Sequence, residues 1–231
     1  MCIRDRAYYG HFREARHLAE QGIDLFAKSN ALASQLTLVE AAREAEVGNS
    51  AHAQRAAAKA LASAPNRDGQ LVVALVFARA GDIGAAQNLA DAMGRDAPLN
   101  TVIQNYCLPT IRAAMKLHEN DPAGAVEILR PTVKYDLAYP GSFNSLYPAY
   151  IRGLAYLHMG EGRLAAAEFQ KLCDHPGIVG REDVYKRQLC ASSNLPTFWA
   201  IAPVNAPFSW PNNSLSRRPR GIAAQFTLTN V

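Results

Sequence analysis

Small residues recur in this chain at fixed distances from five turn residues, Gly10, Gly48, Gly81, Asn120 and Gly160, which are separated by 38, 33, 39 and 40 positions. Five residues after each stands an alanine (Ala15, Ala53, Ala86, Ala125, Ala165), and seven before the last four stands Ala41, Ala74, Ala113 or Gly153. A helical hairpin brings its backbones closest on the two sides of its turn, and small side chains permit that approach. The register therefore predicts a repeated pair of helices around each turn. Phe77 and Tyr156 fall four residues before their turns, Phe169 falls nine after its own, and Pro65 and Pro98 each lie 17 beyond theirs, where proline stops a second helix. Two departures stand out: Glu44 occupies the fourth position before Gly48, and the first unit lacks most of its first helix.

Between the turns the composition favours helix. Phe12 to Lys28, Ala31 to Val47, Ala51 to Ser63 and Leu164 to Cys173 are rich in Ala, Leu, Glu, Gln, Arg and Lys, which lose little side-chain freedom in a helix. Apolar residues return at intervals of three and four, as in Val126, Leu129 and Val133, and strand signals are nearly absent. The expected fold class is all-α: about four and a half antiparallel hairpins stacked into an α-solenoid over residues 7–180, followed by an irregular or disordered tail.

Both ends break with that body. Residues 1–6 (Met1-Cys2-Ile3-Arg4-Asp5-Arg6) and the segment Asp183-Val184-Tyr185-Lys186-Arg187-Gln188 can both be written in codons containing ATGTGTATAAGAGACAG, read in different frames. That string resembles the transposon end of sequencing-library adapters, which makes residues 1–6 and 181–188 adapter-derived. From Leu189 the chain turns to Pro, Asn, Ser and Trp without helical period. Reverse-complemented codons for Ala202 to Ser216 can encode ESELFGHEKGAFTGA, and those for Gly221 to Val231 can encode VRVNCAAIP. Both resemble the ATPase domain of bacterial enhancer-binding activators, so residues 189–231 read as an antisense translation without function, and no ATPase residue carries over to this strand.

The formal charge of +4 belongs to these ends: residues 7–180 hold 16 Lys+Arg against 17 Asp+Glu. A body so nearly neutral gives no footing for nucleic acid, despite the overall pI of about 8.9. The best apolar run, Leu71 to Ala78, is broken by Arg79 and Gly81, far short of the roughly 20 residues that cross a bilayer. Cys2, Cys107, Cys173 and Cys190 form no CxxC pair, so a reducing, cytoplasmic compartment is expected, or a periplasmic one if a membrane helix precedes this region in its parent.

The turn spacing lies at or just above the period of about 34 residues of tetratricopeptide repeats. Leu108-Pro109-Thr110-Ile111-Arg112-Ala113-Ala114, Leu146-Tyr147-Pro148-Ala149-Tyr150-Ile151-Arg152-Gly153 and Glu168-Phe169-Gln170-Lys171 resemble the tetratricopeptide region C-terminal to the kinase domain of bacterial serine/threonine protein kinases. The resemblance covers most of residues 7–180 and implies a signalling parent. No glycine-rich phosphate loop, HRD or DFG is present, so the chain itself is expected to transfer no phosphate.

Chemical candidates are few. His11 and His17 are six residues apart and diverge by about 240° around a helix, too far to share a metal. Cys173, Asp174 and His175 are adjacent and point apart, whereas a triad converges. Cys107 and Cys173 read as small buried hydrophobes. Gly160-Glu161-Gly162 is a hairpin turn without the strand that a phosphate loop follows. No catalytic residue, cofactor or metal is expected.

A binding surface remains. In stacked hairpins the first helices line a groove, and the register assigns to it Gln35, Glu46, Asp68, Arg79, Thr110, His118, Tyr147, Tyr150 and His158, with Leu38, Leu71 and Leu154 between them. Tyr147 and Tyr150 serve equally well as packing under the loop around Tyr139-Pro140. The expected function is a non-catalytic protein-interaction scaffold whose groove takes a protein or peptide. The alternative is a regulatory module that senses a ligand or peptide.

Overall fold

The computed structural model describes residues 11–63, 66–138 and 145–175, together with Ile3, Arg6 and Ile178. Among these residues there are nine α-helices and no strand. They are α1 (Phe12–Leu25), α2 (Asn30–Glu46), α3 (Ser50–Ala62), α4 (Arg67–Ala80), α5 (Ile83–Asp96), α6 (Leu108–His118), α7 (Pro122–Leu129), α8 (Tyr147–His158) and α9 (Gly162–Asp174). Each helix packs on its successor, and each even-numbered helix from α2 onward also packs on the next even-numbered one.

The turns explain the order. Gly48, Gly81, Asn120 and Gly160 all adopt positive φ, between 60° and 87°. At each of them the next residue's N–H reaches back five residues to a carbonyl: Asn49 to Glu44, Asp82 to Phe77, Asp121 to Lys116 and Glu161 to Tyr156, at 2.8–2.9 Å. This is the Schellman closure, which satisfies the last carbonyls of one helix while the chain reverses. The following helix begins one residue later, and Asp82 and Asp121 cap it by accepting from the N–H groups of Ala85 and Gly124. Gly10, Pro65 and the Tyr139-Pro140 loop lie outside the described residues, as does the whole of 183–231.

The small residues of the register lie where the helices meet. Ala15, Ala53, Ala86, Ala125 and Ala165 are fully buried, as are Ala41, Ala74 and Ala113. Ala15 packs with Ile3, Phe12 and Val47 in a small cluster of its own, and the others join Leu71, Val73, Phe77, Tyr106, Ile111, Leu129, Ile151, Phe169 and Leu172 in one continuous core running from α2 to α9.

Prolines shape the less regular joints. Pro109 would drive its ring into the carbonyl four residues back; the chain instead runs as a π-helix over Ile103–Cys107, with the Leu108 N–H bonded to the Ile103 carbonyl, before α6 begins. Pro131 likewise ends α7 after eight residues, in a 3-10 segment over Arg130–Tyr135. Leu146, buried and at φ +60°, leads into α8. A branched side chain in the left-handed region is strained. It is held by the Tyr106 hydroxyl, which faces the backbone N–H groups of Leu146 and Tyr147.

Candidate functional site

The position two residues before each turn holds Glu46, Arg79, His118 and His158 in successive units, each in the last turn of an even-numbered helix. Stacking makes them lateral neighbours. The Arg79 Nη2 and Nε donate to the Glu46 carboxylate at 3.2 and 3.3 Å. The His118 ring lies against Gly81, and the Arg79 charge reaches His158. A second column, 13 residues before the turns, holds Gln35, Asp68, Cys107 and Tyr147. Burial, helped by the Asp68 charge next to it in this column, pushes the Cys107 thiol up to about 12, which leaves it protonated and unreactive.

Glu46 joins the two columns. It is the last residue of α2, where the helix dipole disfavours a negative charge, and it is 7% exposed. Besides Arg79, it accepts hydrogen bonds from the phenols of Tyr147 and Tyr150, the latter at 2.8 Å, across 101 and 104 residues of chain. The rings meet edge to face at 5.4 Å, Tyr150 packs against Phe169 at 6.3 Å, and the Arg79 guanidinium lies 5.8 Å from the Tyr150 centroid. Burial, and then the Glu46 charge, hold both phenols well above their ordinary range, so they remain donors at neutral pH. Burial alone would lower Arg79, but Glu46 together with the two tyrosines more than offsets it.

Four of the nine residues assigned by register therefore meet in one cluster. Gln35 is exposed at the start of α2, Asp68 is half-buried in the first turn of α4, and His118 and His158 are exposed at their helix ends. Thr110 is fully buried, with its hydroxyl donating to the Tyr106 carbonyl. Leu71 and Leu154 are buried and Leu38 partly so.

Two further polar clusters lie beside this one. Glu44, the departure noted in the register, is 1% exposed in a slot where Phe77 and Tyr156 stand in other units. Arg16 grips it with contacts of 2.7 and 3.0 Å, and Asn49 adds one of 2.7 Å. Arg152, 2% exposed in the apolar helix α8, donates to Thr132, Asp136 and Glu168, while Lys171 also meets both carboxylates. The groove assignment passed over Arg152, although a lone arginine in an apolar helix is itself a signal for a buried ion pair. Among the described residues no three of His, Cys, Asp and Glu are grouped to hold a metal, and no helix is long and apolar enough to cross a membrane. No family model, no curated protein and no solved structure matches this chain.

Proposed function

We propose that residues 7–180 are a tetratricopeptide-like α-solenoid acting as a non-catalytic protein-interaction scaffold, a piece of a larger bacterial signalling protein of the kinase-associated kind. The partner is a protein or peptide that lies along the even-numbered helices. The single observation that carries this reading is the meeting of Glu46, Arg79, Tyr147 and Tyr150, which come from three different even-numbered helices onto one face. Tyr147, Tyr150 and Glu46 are themselves buried, so what the meeting offers a peptide is the part-exposed Arg79 and, along the same even-numbered helices, Asp68, His118 and His158, polar partners for a peptide's backbone and side chains. Residues 1–6 and 181–188 are taken as adapter translation and 189–231 as antisense sequence, outside this function.

Panning a random peptide display library against the protein tests the reading. Selected peptides should lose binding in Asp68→Lys or His118→Glu, and should tolerate Arg55→Glu on α3 or Glu127→Lys on α7, both exposed on odd-numbered helices. Peptides indifferent to the first pair, or sensitive only to the second, would refute it.

A further inference from the structure

Arg79, Tyr147 and Tyr150 form a set of donors around a carboxylate, that of Glu46. Three donors converge on one carboxylate group, and they are held by contacts that do not involve it. Tyr150 is wedged between Tyr147 and Phe169, Arg79 lies on the Tyr150 ring, and α8 is buried from Tyr147 to Ala155. Both phenols bond the Glu46 carboxylate closely, and its hold on Arg79 is the less secure part. Glu46 sits at a helix C-terminus, where its charge is disfavoured. Its two contacts to Arg79, at 3.2 and 3.3 Å, are long for a charge-assisted pair, which ordinarily closes to about 2.7–2.9 Å. Arg16 and Glu44 in the adjoining cluster reach 2.7 Å. The site also has an open edge, for the Arg79 side chain is 18% exposed and the exposed His158 lies within reach of its charge.

Resting on the peptide-scaffold reading, we propose that Glu46 is an internal plug: the chain fills its own carboxylate receptor, and a partner's carboxylate must displace Glu46 from Arg79, Tyr147 and Tyr150 to dock. Displacement also releases α2 from α8, so occupancy by a partner is coupled to the contact that spans 101–104 residues of the array. A self-occupied site lowers apparent affinity by the fraction of time it stands open. Removing the plug therefore raises affinity without adding any contact.

Glu46→Ala and Glu46→Gln, made in the full chain, supply the test. Sodium acetate should raise the melting temperature of Glu46→Ala saturably and beyond sodium chloride at equal ionic strength, and this rise should vanish in Glu46→Ala/Arg79→Met. Short peptides should bind both Glu46 variants about tenfold or more tighter than the unaltered chain, since apparent affinity scales with the fraction of time the site stands open. One peptide carries an internal glutamate and an amidated end, and the other a free C-terminal carboxylate with no acidic side chain; whichever gains affinity identifies the source of the group. If Glu46→Ala does not fold, Glu46→Gln alone decides, since it preserves volume and removes only the charge. Acetate acting no better than chloride, or equal peptide affinity with and without the Glu46 carboxylate, overturns the plug. Peptides that bind through Asp68 and His118 with no dependence on Glu46 would overturn it while leaving the scaffold reading intact.

Discussion

The β-carbon that Gly153 lacks would lie 2.3 Å from a ring carbon of Phe169, which is 1% exposed. The two residues stand seven before and nine after the same turn, where a small residue lets the facing helix approach. Gly153→Ala is expected to force Phe169 out of its seat at a cost of about 1–3 kcal/mol, partly offset by the better helix propensity of alanine, worth about 1 kcal/mol. Phe169→Leu in the same chain should recover part of that loss. Denaturant unfolding would measure both, and a Gly153→Ala variant as stable as the parent would contradict the packing.

Asn120 is the one turn of the four that is not glycine, yet it holds φ +60° and the same closing bonds. Asparagine tolerates this conformation better than other branched residues, while alanine meets the full steric penalty of about 1–2 kcal/mol. Asn120→Ala should lower stability by about 1 kcal/mol, and Asn120→Gly should be neutral or slightly stabilising, because freedom gained in the unfolded chain offsets part of the relief. Equal melting of the alanine and glycine variants would argue against a left-handed turn.

Arg16 keeps Glu44 from being an uncompensated charge in a core slot. The hydrogen bond to Glu44 raises the guanidinium's affinity for its proton, as expected for a close pair. Arg16→Ala leaves the carboxylate with Asn49 and should cost about 3 kcal/mol or more. Replacing both partners, as Arg16→Met with Glu44→Leu, should come close to neutral, since the slot accepts apolar groups in other units. A double-mutant cycle by urea unfolding checks the contrast; a single Arg16→Ala without effect would show that Glu44 is hydrated.

His158 links stability to pH. Although the imidazole keeps an exposed edge, its neighbours strip part of its hydration, and this, then the Arg79 charge, lowers its affinity for a proton below the ordinary value of 6.5. As pH falls through about 6.5 the unfolded chain binds this proton before the folded one does, so stability is full above that range and declines below it until the folded imidazole also titrates. Melting temperature should therefore fall on acidification, and His158→Gln should make that fall shallower. Superimposable pH profiles for the two proteins would exclude the linkage.

The hairpin turns were readable from the sequence because each is closed locally. Gly48, Gly81, Asn120 and Gly160 need only the left-handed backbone and the hydrogen bond that runs from the next residue to the carbonyl five behind it. The alanines around them follow from backbone proximity, a short-range consequence of the same reversal. Helix termini shifted little, the largest change being α1, which ends at Leu25 rather than Lys28. Register also placed Glu46 and Arg79 in adjacent units at one position, so their pairing was implicit in the repeat. Only the tertiary structure decided that Tyr147 and Tyr150 would close on Glu46. That contact depends on the path of the chain through the π-helix at Ile103–Cys107 and the strained residue Leu146, neither of which follows from a period. The same holds for Arg152, whose partners come from a 3-10 segment and from α9. A periodic pattern specifies which neighbours each helix has, because small residues permit close approach at fixed offsets; it does not specify which buried charges find one another across several units, because that depends on the small rotations accumulated at each irregular joint.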